Sequence, residues 1–179
     1  KAYLKVFCMD HIQQFSDQAA YPPVKVCAPN AMYASAMLTN MGSCNSEMSA
    51  VAQYVYNSLI TQENFSEISK CFHQISLVEM HHLELFGQLS LMLGADPRLW
   101  SRCHRRMNYW NAGCIPYTKD LPGLLKNAIA GENAAIEQYY QQTRWIKDPY
   151  IVEMLKRIIC DEERHIVIFC QLYEQTCKK

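Results

Sequence analysis

Glycine and proline are scarce in this sequence, at 6 and 7 among 179 residues, well below the roughly 12% they usually contribute together. That shortage excludes turn-rich all-β architectures, collagen-like repeats and low-complexity disorder. Charge of one sign is also missing, because Lys+Arg and Asp+Glu both number 17. The balance removes any global attraction to nucleic acid or to an anionic membrane. Although there are nine cysteines, no C-x-x-C pair occurs, so tetrathiolate zinc ribbons and rubredoxin-type iron sites are excluded. No apolar run reaches the length of a membrane span. The leading residues KAYLKVFCMD do not have the pattern of a secretory signal.

What is present is a core-forming chain. Half of the residues are hydrophobic and 19% are charged, and the length suits one domain that folds without staples. The cysteines, at positions 8, 27, 44, 71, 103, 114, 160, 170 and 177, are odd in number and lie in a chain too long for a small disulfide scaffold. They are expected to be mostly reduced, buried thiols in a cytoplasmic protein.

Punctuation divides the chain. Residues 1–29, with Tyr21-Pro22-Pro23 and Pro29, read as a lead-in, and 30–179 as the main domain. Asn30 is suited to cap a short helix over 31–40 that Gly42 interrupts. Long helices are expected over about 43–60, 65–93, 120–146 and 148–175, the second ending at Gly94 and the fourth opening on Asp148-Pro149. The first pair and the second pair are closely connected, whereas 94–119 is long enough to cross a bundle. The pattern predicts an all-α four-helix bundle: two antiparallel hairpins joined by a long crossover.

Two motifs repeat. Glu47…Ala50…Gln53-Tyr54 and Glu132…Ala135…Gln138-Tyr139 both read E-x-x-A-x-x-Q-Y. Glu79…His82…Phe86…Gln88-Leu89 and Glu162…His165…Phe169…Gln171-Leu172 both read E-x-x-H-x-x-x-F-x-Q-L. The copies are offset by 85 and 83 residues, so the halves look like duplicates of one hairpin.

A Glu and a His three apart on a helix share a face and can grip one ion. The expected arrangement puts Glu79 and His82 on one ion and Glu162 and His165 on a second, with Glu47 and Glu132 bridging or binding terminally. The charge of these four carboxylates is neutralised by two divalent ions; buried without metal it would be strongly destabilising. Chance gives about 0.4 E-x-x-H matches in a chain of this composition, so two at equivalent positions are informative. Apolar neighbours Ile75, Leu83, Phe86, Ile158, Ile166 and Phe169 argue against a solvated charged face.

The set Glu47, Glu79-x-x-His82, Glu132 and Glu162-x-x-His165 resembles the ferritin-like superfamily of di-iron and di-manganese carboxylate proteins, over about residues 43–173. Within it the chain is most similar to rubrerythrin-type and manganese-catalase-type proteins. The resemblance implies those six residues as metal ligands. It departs from rubrerythrins at Ala135, where they carry a second glutamate, and in having no rubredoxin-type cysteine pairs. Ferritin storage shells add a fifth helix, for which the 14 residues after His165 leave little room.

Tyr54 and Tyr139, seven residues after the single glutamates, are expected to hydrogen-bond a carboxylate across the bundle. Asp161 is expected to hold the free N–H of His82; its repeat partner is Val78. His81 points away and reads as structural, His11, His73 and His104 lack partnered spacing, and Glu137 and Glu163 fall off the ligand face. Arg98, Arg102, Arg105 and Arg106 beside Trp100, Tyr109 and Trp110 read as lacing the crossover rather than as an RNA-binding surface.

The expected function is that of a dinuclear iron or manganese oxidoreductase acting on hydrogen peroxide or dioxygen. A peroxidase would need an external electron donor and a catalase none; the lack of an electron-transfer domain leans toward the latter. A homodimer with no membrane or nucleic-acid partner is expected. The alternatives are a metal-binding or structural bundle without turnover, and a di-iron oxygenase on an organic or RNA substrate.

Overall fold

The computed structural model describes residues 15–103 and 106–177. A short helix α1 (Ala31–Gly42) precedes two helical hairpins, α2 (Glu47–Thr61) with α3 (Ser66–Met92) and α4 (Leu121–Trp145) with α5 (Pro149–Cys177). The chain is a ferritin-like helical bundle. Local chemistry sets the helix ends. The Asn30 side chain accepts from the Met32 and Tyr33 amides, Asp120 from Gly123, and Asp148 from Tyr150. Gly94 takes φ +92° to end α3, a conformation other residues adopt at a cost.

Two differences from the expected helices matter. The first long helix begins at Glu47 rather than Ser43, after a bend over residues 43–46. By the 85-residue offset, α4 corresponds to 36–60, so α1 and α2 occupy with a break the positions that α4 fills continuously. The crossover, which shows no period in sequence, forms an antiparallel hairpin of β1 (Trp100–Cys103) and β2 (Arg106–Tyr109), then a 3-10 turn over Ala112–Cys114. Trp100 stacks on Tyr109, and Arg98 pairs with Asp96 while lying over Trp100. Arg98 thus laces the crossover to itself. The side chains of Arg102 and Arg105, together with His104 and with His11 and Cys8, lie outside the described ones.

The core is in two parts, one at each end of the bundle. Ile68, Phe72, Ile75, Leu124, Leu125 and Phe169 fill one; Met37, Phe86, Leu89, Ile151, Leu155 and Ile158 fill the other. The buried face of α3 passes from Ile75 and Val78, through Glu79 and His82, to Leu85 and Phe86. That of α5 runs from Ile158 and Ile159, through Asp161, Glu162 and His165, to Ile168 and Phe169. Of the apolar neighbours of the motifs, Leu83 and Ile166 are only half-buried; Leu85 and Ile168 take the inward positions. Polar residues thus interrupt both helices at one level, between two apolar plugs. No described helix is long and apolar enough to cross a membrane.

Candidate metal centre

Glu47, Glu79, His82, Glu132, Glu162 and His165 meet at that level, and none is more than 2% exposed. His82 Nδ1 lies 3.2 Å from Glu79 Oε2, 3.2 Å from Glu162 Oε1 and 3.8 Å from Glu47 Oε2. His165 Nδ1 lies 2.9 Å from Glu79 Oε1, 3.1 Å from Glu162 Oε2 and 3.5 Å from Glu132 Oε1. An imidazole nitrogen carries one proton or one lone pair, so it cannot bond three oxygens at once. Glu79 Oε1 and Glu162 Oε1 are in fact buried without a hydrogen-bond partner. Orphaned donors converging from four helices have the form of a coordination sphere, and carboxylate with imidazole suits a divalent first-row ion.

The donors fall into two overlapping groups: Glu47, Glu79, His82 and Glu162, and Glu79, Glu132, Glu162 and His165. This alters the expected division. Glu79 and Glu162, rather than each belonging to its own histidine, are common to both groups, and Glu47 and Glu132 stand at the two outer ends. The reason lies in packing: α3 and α5 bring their carboxylates to the middle of the bundle, while α2 and α4 each contribute from outside.

Without metal, protons partly stand in for the missing charge. Burial, with Glu162 and Glu79 close by, pushes the Glu47 carboxyl well above its ordinary value; burial, Glu79 and Glu162 do the same to Glu132. Burial works against protonation of His82 and His165, yet the surrounding carboxylates raise both well above the ordinary histidine range. Glu79, despite burial, is held low by the two imidazoles.

The tyrosines cross the bundle in matched fashion. Tyr54 donates to Glu132 Oε1 at 2.5 Å, and Tyr139 donates to Glu47 Oε1. Phe169 packs on Tyr54 and Phe86 on Tyr139, at 5.3 and 5.4 Å between ring centroids. Each half of the duplication thus positions the single glutamate of the other. Burial and the facing carboxylates hold both phenols well above their ordinary pKa, so they remain protonated donors.

The symmetry fails behind the histidines. His82 Nε2 lies 3.0 Å from Asp161 Oδ2, whereas His165 Nε2 is buried with no partner. Asp161 also contacts Arg157 Nη1 at 2.7 Å and accepts from the Tyr21 hydroxyl at 2.5 Å and the Asp17 amide at 2.6 Å. Burial pushes the Asp161 carboxyl up, but His82, Arg157 and Tyr21 together bring it down to about 2. Arg157 reaches on to the carbonyls of Ala19 and Asp17. Residues 15–21 are therefore fastened against the support of one histidine. Sequence reasoning missed Tyr21, which sits in a stretch with no helical period; Arg157, four residues before Asp161, carried a readable i,i+4 signal. His81, His73, Glu137 and Glu163 are exposed and take no part.

A cavity of about 170 Å³ reaches this cluster between α2 and α4. Glu47, Tyr54, Glu132, Tyr139 and Glu162 form its inner wall. The motif alanines Ala50 and Ala135 also line it, so the position where rubrerythrins carry a further glutamate is here part of the open space. Its outer wall includes Cys44 and Cys114, which are disulfide-bonded. The expectation of mostly reduced, buried thiols is corrected in its second half: Cys27, Cys71, Cys160, Cys170 and Cys177 are free alongside this one bonded pair, but only Cys71 among them is buried. No pairing could be read from spacing, because the partners are 70 residues apart.

Residues 41–173 match the rubrerythrin family. The chain belongs to that family. Among solved structures, a manganese catalase from Anabaena PCC7120 is similar with TM-score 0.78 and 22% identity, over 88% of this chain and 78% of that one. A Rhodobacter capsulatus bacterioferritin, described with a metal-free dinuclear site, follows at TM-score 0.66 and 19% identity, over 82% and 89% of the two chains. A Desulfovibrio desulfuricans bacterioferritin, whose diiron site is described in different catalytic states, has TM-score 0.66 and 20% identity, over 84% and 86%. No curated protein sequence matches. At these identities the likeness establishes the fold that the rubrerythrin family shares with its ferritin-like relatives.

Proposed function

We propose that this rubrerythrin-family chain is a dinuclear iron or manganese oxidoreductase that acts on hydrogen peroxide. The observation that carries the reading is a small cavity whose inner end is lined by Glu47, Glu132 and Glu162. Its volume of about 170 Å³ leaves room for several waters. That accommodates peroxide or dioxygen and falls short of the roughly 300 Å³ at which organic-ligand pockets begin. An oxygenase acting on a larger organic substrate or on RNA is disfavoured on that ground.

Glu47 and His82 would hold one ion, Glu132 and His165 the other, with Glu79 and Glu162 between them. The pair of ions would supply two electrons together and so match the two-electron reduction of peroxide. The remaining work falls to this chain's own groups. Tyr54 and Tyr139 fix the orientation of Glu132 and Glu47 and keep a proton at the phenol oxygen, beside the space a peroxide oxygen would occupy. Asp161, backed by Arg157 and Tyr21, fixes the ring of His82. The apolar clusters above and below keep bulk water from the two ends of the site.

The test is consumption of hydrogen peroxide by protein loaded with iron or with manganese, with and without a reductant, followed by peroxide and dioxygen electrodes. Peroxide loss that requires bound metal is expected. Metal-loaded protein that leaves peroxide untouched would remove the reading.

A further inference from the structure

The Cys44–Cys114 bridge stands at a junction that nothing in the metal centre itself requires. It faces two ways: Cys44 is exposed and Cys114 half-buried, so solvent reaches the pair, while both residues also line the cavity that ends on Glu47, Glu132 and Glu162. Cys44 lies in the break between α1 and α2, three residues before Glu47, and Cys114 in the short turn of the crossover.

The crossover is joined to α2 by a second tie besides the bridge. Trp110 Nε1 donates to Ser49 Oγ at 2.9 Å, and Ile115, next to Cys114, is only 8% exposed. The Trp110–Ser49 hydrogen bond ties the crossover to α2 independently of the sulfurs, so opening the bridge leaves that tie intact. Disulfides that solvent reaches are the more readily reduced ones, from which regulatory and catalytic pairs are drawn.

We infer that Cys44 and Cys114 are a redox-active pair that passes reducing equivalents from an external dithiol to peroxide in the cavity. The inference rests on the peroxide reading above and names the electron donor that such a reaction lacks. In the first half-reaction the reduced Cys44 and Cys114 thiols are oxidised: two S–H bonds break, one S–S bond forms, and two electrons leave sulfur. The O–O bond of hydrogen peroxide is reduced, and the two thiol protons leave in two waters. In the second, a thiolate of the external dithiol attacks the sulfur of Cys44, the more exposed residue of the pair, and a mixed disulfide resolves to restore both thiols and release the oxidised reductant.

The experiment uses the full chain loaded with metal, reduced with dithiothreitol, desalted without oxygen and given one equivalent of hydrogen peroxide. Thiols are alkylated and mapped by mass spectrometry while dioxygen is monitored; Cys27, Cys71, Cys160, Cys170 and Cys177 serve as internal controls. The Cys44–Cys114 bridge is expected to re-form in proportion to peroxide, without dioxygen release. It should form about tenfold or more faster than in metal-free protein, whose thiols have only their own reactivity. A Cys44→Ser, Cys114→Ser variant should keep its metal and lose peroxide reduction supported by dithiol. Peroxide consumed with dioxygen evolved and both thiols intact would overturn the inference and leave peroxide chemistry standing as disproportionation. Equal oxidation with and without metal would overturn it as well. Peroxide left unconsumed with thiols intact would remove the peroxide reading itself.

Discussion

The tyrosine hydroxyls and the Asp161 support decide how freely the ligand set can move. Tyr54→Phe removes one hydroxyl from a buried site while keeping the ring that packs on Phe72 and Phe169. Fold and metal content should survive, and peroxide turnover should fall by roughly 10²-fold, the lower end of acid–base contributions. Turnover within about twofold of the parent would make Tyr54 a core residue only. Tyr21→Phe takes a donor from Asp161 and a hydroxyl that lies 3.1 Å from His82 Nε2, while leaving all six candidate ligands in place. Loss of such support typically weakens metal binding by about 10–100-fold, so a metal titration should show one weakened ion and one unchanged, since His165 has no equivalent support to lose. Protons compete at the same place. Glu47, Glu132, His82 and His165 all hold protons more firmly than usual in the metal-free chain, so metal must displace them. Apparent affinity should therefore rise with pH and fall as acid refills these groups, with protons released on binding. A pH-indicator titration in weak buffer measures that release; affinity independent of pH would contradict it.

Among the elements, α3 and α5 were legible because their chemistry is local: a Glu and a His three apart need only one helix to bring them together. The tyrosine cross-links were legible for the same reason, through the matched spacing Glu47 to Tyr54 and Glu132 to Tyr139. The sharing of Glu79 and Glu162 between both donor groups was not, because it depends on how deeply α3 and α5 sit relative to α2 and α4. Nor was the role of residues 15–21, whose attachment to Asp161 and Arg157 crosses about 140 residues of chain. The β1–β2 hairpin and the Cys44–Cys114 pair are likewise products of the crossover's path, which no periodicity encodes. Arg157 joins the lead-in to α5, so its replacement tests that element. Arg157→Met leaves Asp161, which is fully buried, without its cation. Breaking a buried ion pair from one side costs about 3–5 kcal/mol, and denaturant unfolding should show a loss of that order. Proteolysis should also begin within 15–29, where the carbonyls of Asp17 and Ala19 lose their anchor.

In the molecule as a whole, stability and function share one requirement. Four buried carboxylates face two imidazoles between two apolar plugs, an arrangement that apolar packing alone does not compensate. Bound metal at a hundredfold excess over Kd adds about 2.7 kcal/mol, which for a chain of this size is roughly a 5–10 °C rise in Tm. Chelated protein should melt lower by that amount, and equal melting with and without chelator would show that the cluster is stable without ions. The duplication sets the symmetry of the centre, and Asp161 against Val78 breaks it. The two ions are thus expected to share a site without being equivalent. The most direct test is the metal content of folded protein purified without added metal, by elemental analysis, for the parent and for Glu79→Ala and His82→Ala. Two ions of iron or manganese per chain are expected in the parent, one after loss of His82, and fewer than one after loss of the shared Glu79. A parent chain that folds normally and carries no stoichiometric metal, or variants that keep both ions, would contradict this.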